Sequence, residues 1–181
     1  MGSIVMSSNT IVPSGVERTF AEDEIIVSKT DLNGRLTYVN DVFLRVSSFT
    51  EQEALGQPHS FIRHPEMPRA VFKLLWDTIK SGEEIFAYVV NLAKNGDHYW
   101  VLAHVTPTIG ASGQIVGFHS NRRSPERSGV EAARSVYRAL IQEERRHSDP
   151  RKGLEASYQL FTALLEKAGK SYGEYVWSIG K

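Results

Sequence analysis

The chain has 181 residues, 41 % hydrophobic and 23 % charged, with Lys plus Arg and Asp plus Glu at 21 each and no cysteine. That is the composition of a soluble globular protein, and the balanced charge argues against a general affinity for nucleic acid, which needs a basic surface. The missing thiol excludes disulfides, thiolate metal sites, iron–sulfur clusters and cysteine–flavin photochemistry, and it fits a cytosolic protein.

Residues 1–21 lack a charged start followed by an apolar block, so they read as a flexible leader and not as a signal peptide. "EIIVSKTD" (24–31) is a β-branched run that ends in the turn signal "DLNG", and "RLTYVN" (35–40) completes a hairpin. "DVFLRVS" (41–47) is a helical turn that Asn40 can cap. Thr50 with Glu53 forms a capping box for a short helix over 50–57, and Gly56 stops it. The clearest helix spans 65–82, with Pro68 in its first turn, Val71, Leu74, Leu75 and Ile79 as its apolar stripe, and Gly82 at its end. Asn95-Gly96 then joins two β-rich runs, 84–93 and 98–109, and "GASG" leads into a last strand, 114–123. No run approaches the roughly 18–20 apolar residues that cross a bilayer.

Beyond "RRSPERSG" the apolar spacing becomes helical over 130–146 and again over 153–168, and "SYGEYVWSI" is a final short helix. The expected organisation is a leader (1–21), a sensor-sized α+β domain (22–123) and a helical extension (126–181).

The order of two strands, short helices, one longer helix and three strands resembles a PAS sensor domain. "RHPEMP" (63–68) together with "KNGDHYWV" (94–101) is similar to the FAD-binding PAS domain of bacterial aerotaxis receptors. The resemblance implies a five-stranded antiparallel sheet with short helices on one face and a pocket between them. It implies FAD in that pocket, and a redox state read by a signalling partner such as a kinase or a chemoreceptor complex. The matching positions near the flavin are Asn40, His59, Arg63, Trp76 and Asn91, and His64 lies in the same motif. One departure is "IFA" (85–87) where the family commonly has "WxG", so an aromatic wall is absent at Ile85. A looser resemblance, to flavin-binding light-sensing relatives, places His119 beside the ring, where an imidazole can exchange a proton.

Alternation along the strands gives each a face. With Asn91 turned to the pocket, Ile85, Ala87 and Val89 are inward too, and Ala87 and Ala103 leave room for a flat ligand. Phe86, Tyr88, Val90, Leu92, Trp100 and Leu102 then face outward. Such an apolar face needs a cover, and the C-terminal helices of the same chain or of a homodimer mate are the obvious one.

Each residue also has a plainer role. Arg63 and His64 can be solvated, Trp76 can be core, Asn91 a satisfied strand amide and Asn40 only a cap. His59 and His64 have no acidic residue to complete a zinc site, and no catalytic motif appears, so an enzyme is not expected. The main expectation is a cytosolic redox or oxygen sensor that holds FAD. A docking or dimerisation module with an empty or small-ligand pocket is one alternative, and a haem gas sensor ligated by His64 or His119 is another.

Overall fold

A computed structural model describes residues 11–180. The strands β1 (Ile26–Thr30), β2 (Leu36–Val39), β3 (Ile85–Leu92), β4 (His98–Ile109) and β5 (Ile115–Arg123) form one sheet in the order β2-β1-β5-β4-β3. Every neighbouring pair is antiparallel. Between β2 and β3 run α1 (Asp41–Ser47), α2 (Glu51–Ala54), a 3-10 turn (His59–Ile62) and α3 (Arg69–Lys80). The extension is α4 (Arg127–Arg145), α5 (Pro150–Ala168) and α6 (Tyr172–Ile179).

The short helices start where the sequence supplies caps. Asn40 accepts from the Phe43 amide, and Thr50 and Glu53 exchange both bonds of a capping box. α3 begins at Arg69, later than the 65 expected. A residue before proline is pushed out of the helical region, so Pro65 and Pro68 hold residues 64–67 outside the helix. Pro68 is its N-cap and offers no side-chain bond.

The inner sheet face packs against the short helices, with Phe43, Val46, Ile62, Val71 and Ile79 meeting Ile26, Leu36, Ala87 and Val101. The outer face is covered by this chain's own α4 and α6. Tyr88, Val90, Leu92 and Trp100 are buried, and Phe86 and Leu102 are half-buried. Tyr137 donates to the Tyr88 carbonyl at 2.5 Å, Trp100 stacks on Tyr137 and Trp177 tilts against Phe86. Gly129 brings α4 close enough that any side chain there would strike the Tyr88 hydroxyl. From that face α4 passes the β3 edge, and α5 packs along α3, so the extension grips both layers.

The flexible leader expected for 1–21 is corrected over its second half; residues 1–10 lie outside the described residues. Residues 14–18 form a strap along the β3–β4 turn: Ser14 N–H donates to the Gly96 carbonyl at 2.8 Å, and Arg18 N–H to that of His98 at 2.7 Å. Arg18 Nε pairs with Asp97 at 2.8 Å, its Nη1 donates to the Val46 carbonyl, and Phe20 is buried. The polar strap sequence conceals this because its partners lie some eighty positions away.

The bonds from Arg18, Ser14 and Asn95 lower the Asp97 carboxyl to about 2. A carboxyl depressed on folding stabilises the fold above its ordinary value of 3.8, and that contribution is lost as pH falls toward about 2. Asp97→Asn therefore leaves the sheet intact but speeds amide exchange at residues 14–20, measured by hydrogen–deuterium exchange at neutral pH. Unchanged exchange there would mean that Asp97 does not hold the strap.

Candidate functional site

Between the inner face and α3 lies a cavity of about 280 Å³. Its sheet wall is Ser28, Val89, Ala103, Val105, Phe118 and Ser120, and its helix wall is Phe72, Leu75, Trp76 and Ile79. The exposed lining residues Asn33, Pro58 and Ser60 mark the mouth. The Trp76 indole stands edge-on to Phe118 with centroids 5.4 Å apart. Gly34, which has φ of 75°, also approaches the indole; a Cβ there would sit 2.8 Å from it, so only glycine allows this approach.

Three residues singled out from the sequence put side chains here: His59, Arg63 and Trp76. Arg63 lies over the Phe72 ring at 4.1 Å, with its Nε buried and without a partner. The His59 imidazole is held neutral, its pKa lowered to about 3 by burial and then by the nearby guanidinium groups of Arg122 and Arg63.

The other expected contacts fall elsewhere. Asn40 serves as a cap: Oδ1 accepts from the amides of Val27 and Phe43, and Nδ2 donates to the Ile25 carbonyl. His64 is buried with Nδ1 accepting from the Glu66 amide, and it borders a separate surface depression shared with Arg69, Ile141 and Glu144. Asn91 does face inward and is buried with an unpartnered Nδ2, but it lies one inward step beyond Val89, beneath the Arg63 backbone with which it forms an isolated bridge.

His119 sits on the wrong side of the sheet for the role expected. It pairs with Thr106 and Lys29, and its ring meets Asn121, two residues on, at 3.1 Å. The inward residues of β5 are Phe118, Ser120 and Arg122, opposite Pro107, Val105 and Ala103. His119 therefore borders the cavity through its place between Phe118 and Ser120, while its imidazole lies on the outer face. A register shift opposite the start of β5 makes a count from the turn misleading, and a slip of one residue exchanges the faces.

The same register reveals the residue that the sequence reading missed. Arg122 is 2 % exposed and lines the cavity. One of its nitrogens, Nη2, donates to Ser28 Oγ and to His59 Nε2, both at 2.5 Å, while Nη1 is buried without a partner. Burial lowers its pKa to about 10, so it remains a cation at neutral pH. Alternation counted from its cross-strand neighbour Ala103 would have exposed it.

The profile of the PAS fold family matches residues 36–122, the span that builds the sheet and the cavity. The chain contains a PAS domain. Its sequence is 43 % identical over 120 residues to the aerotaxis receptor of Escherichia coli (strain K12), covering 66 % of this chain and 24 % of that receptor. It is 28 % identical over 83 residues to phototropin-1A of Oryza sativa subsp. japonica, covering 46 % of this chain and 9 % of that protein. The chain thus spans about a quarter or less of the length of these relatives. Among solved structures, the PAS domain of a protein from Colwellia psychrerythraea superposes with a TM-score of 0.51 at 20 % identity, covering 55 % of this chain and 85 % of that one. The expected α+β PAS fold, with short helices inside the sheet and the extension outside it, is what the structure has. Among the described residues no helix is long and apolar enough to cross a membrane, and no group of three or more acidic or histidine side chains could hold a metal ion.

Proposed function

We propose that this PAS domain, over residues 22–123, is a cytoplasmic redox sensor that holds a flavin, as FAD, and signals through residues 126–181 to a kinase or chemoreceptor complex, acting as a homodimer. The observation that carries the reading is the convergence of His59, Arg63 and Trp76, together with Arg122, on one mostly apolar cavity. The identity with the aerotaxis receptor supports it.

The residues suit a flavin ring. Phe72, Leu75, Val89, Val105 and Phe118 offer apolar walls, and Ala103 keeps the floor flat. Arg122 and Arg63 offer buried N–H groups without partners, which match carbonyl or phosphate oxygens. A volume of about 280 Å³ is at the small end of ligand pockets, roughly 300–1,000 Å³, so it takes a ring system and not a whole dinucleotide. The mouth at Asn33, Pro58 and Ser60 is where the remainder would lie. A bound flavin supplies reversible electron transfer; the chain supplies the walls, the donors and the route outward. Haem fits less well, because His64 borders another depression, the His119 ring is on the outer face and His59 Nε2 is engaged by Arg122.

Two connections support the route. The outer face carries α4 through Tyr88, Trp100 and Tyr137, and α3, which forms the cavity wall, has its first turn held by Glu144 of α4. The test is the absorption spectrum of the purified chain, followed by chromatography of what heat denaturation releases. FAD released in about equimolar amount is the expected result. Colourless protein that also fails to take up added FAD, FMN or riboflavin would remove the flavin reading.

A further inference from the structure

We propose that Arg122 selects the ligand, making the buried end of the cavity a seat for an oxygen that carries negative charge or gains it on reduction. This goes one step further than the flavin reading: for a flavin, the oxygen belongs to the dione edge of the ring.

The surroundings of Arg122 leave its charge uncompensated. Among the described residues no carboxylate lies within 4.0 Å of it, and its neighbours are the Ser28 hydroxyl, the neutral His59 imidazole, the Phe43 ring and Tyr99. Tyr99 is no counter-ion, because burial raises its hydroxyl to about 12. The cavity lining contains two guanidinium groups, Arg63 and Arg122, and no acidic residue.

A buried cation without a partner destabilises a fold, and an apolar side chain of similar size is often better tolerated there. A structural arginine would be expected to bring its carboxylate with it, as Arg18 does with Asp97 and Arg69 with Glu144. Arg122 instead lines the cavity with one nitrogen buried and without a partner. His59 shapes the seat by accepting from Nη2, which leaves Nη1 for the ligand. A guanidinium prefers an acceptor-only oxygen, and it binds a charged one more tightly than a neutral one.

The test compares the full chain with Arg122→Met and Arg122→Lys. Ligand-free Arg122→Met is expected to melt at or above the temperature of the unaltered chain, because it removes an unpaired buried charge. If the protein takes up FAD, the unaltered chain binds dithionite-reduced FAD at least 10-fold more tightly than oxidised FAD, measured through the midpoint potential of the bound cofactor. Arg122→Met loses most of that preference, and Arg122→Lys keeps part of it. If the protein takes up no flavin, benzoate and its uncharged analogue benzamide serve as probes. Benzoate then raises the melting temperature of the unaltered chain more than benzamide does, and Arg122→Met abolishes the difference. A reduced-to-oxidised ratio that Arg122→Met leaves unchanged, or equal effects of benzoate and benzamide on the unaltered chain, would overturn the assignment. In the first of those cases the flavin reading would still stand.

Discussion

Ala103→Leu should give a chain that folds and melts within a few degrees of the original but binds flavin roughly 5- to 150-fold more weakly. Ala103 is buried on the inner face between Ala87 of β3 and Arg122 of β5, and it is part of the cavity wall. Leucine adds three carbons at that point. In the ligand-free chain they enter open volume, so little overpacking results. With a ring bound the same carbons meet filled space, and overpacking of that kind costs about 1–3 kcal/mol, which sets the range of affinity loss. Titration of flavin into the ligand-free variant, beside a thermal melt, checks both halves. A melting temperature that collapses would make Ala103 a packing residue only. Unchanged affinity would place the ligand away from the sheet floor.

How much of this site the sequence disclosed depends on the distance over which each side chain is positioned. His59, Arg63 and Trp76 belong to one continuous stretch of turn and helix, so a local motif carries their placement with it. The outer apolar face was also legible, because alternation along an unbroken hairpin is a local property of β3 and β4. Asn40 was legible as a cap, and the three bonds its amide makes all go to backbone within fifteen residues. His119 and Arg122 are another matter. Their faces depend on how β5 pairs with β4 across a register shift, and no local count reports that. The strap at residues 14–18 is likewise fixed by partners distant in sequence, chiefly Asp97 and His98.

Glu144→Ala should lower stability by about 2–3 kcal/mol and loosen the first turn of α3, although residue 144 lies far from the cavity in sequence. α3 has no cap of its own, because Pro68 offers no side-chain oxygen. Glu144 reaches across from α4 in its place: Oε1 accepts from the amides of Arg69 at 2.8 Å and Ala70 at 3.3 Å, and Oε2 accepts from Arg69 Nε at 2.9 Å. The carboxylate is only 10 % exposed, and negative charge is favoured at a helix N-terminus. Loss of a cap costs about 0.5–2 kcal/mol and loss of a charge-assisted bond about 1.5–3 kcal/mol; the terms share one side chain and do not add in full. For a chain of this length the change should appear as a melting-temperature drop of roughly 4–12 °C. Glu144→Gln keeps one acceptor and should lose less than half as much. Because α3 carries Phe72, Leu75, Trp76 and Ile79 into the cavity, the alanine variant should also weaken flavin binding a few-fold and speed amide exchange at Arg69 to Val71. The reverse follows by linkage: a ligand that braces α3 must tighten the hold of α4 on it by the same free energy. Exchange at Glu143 to His147 should therefore slow when flavin binds, and this slowing should vanish in Glu144→Ala. If it persists in the variant, the extension senses the cavity through the sheet face and Tyr88 instead of through α3.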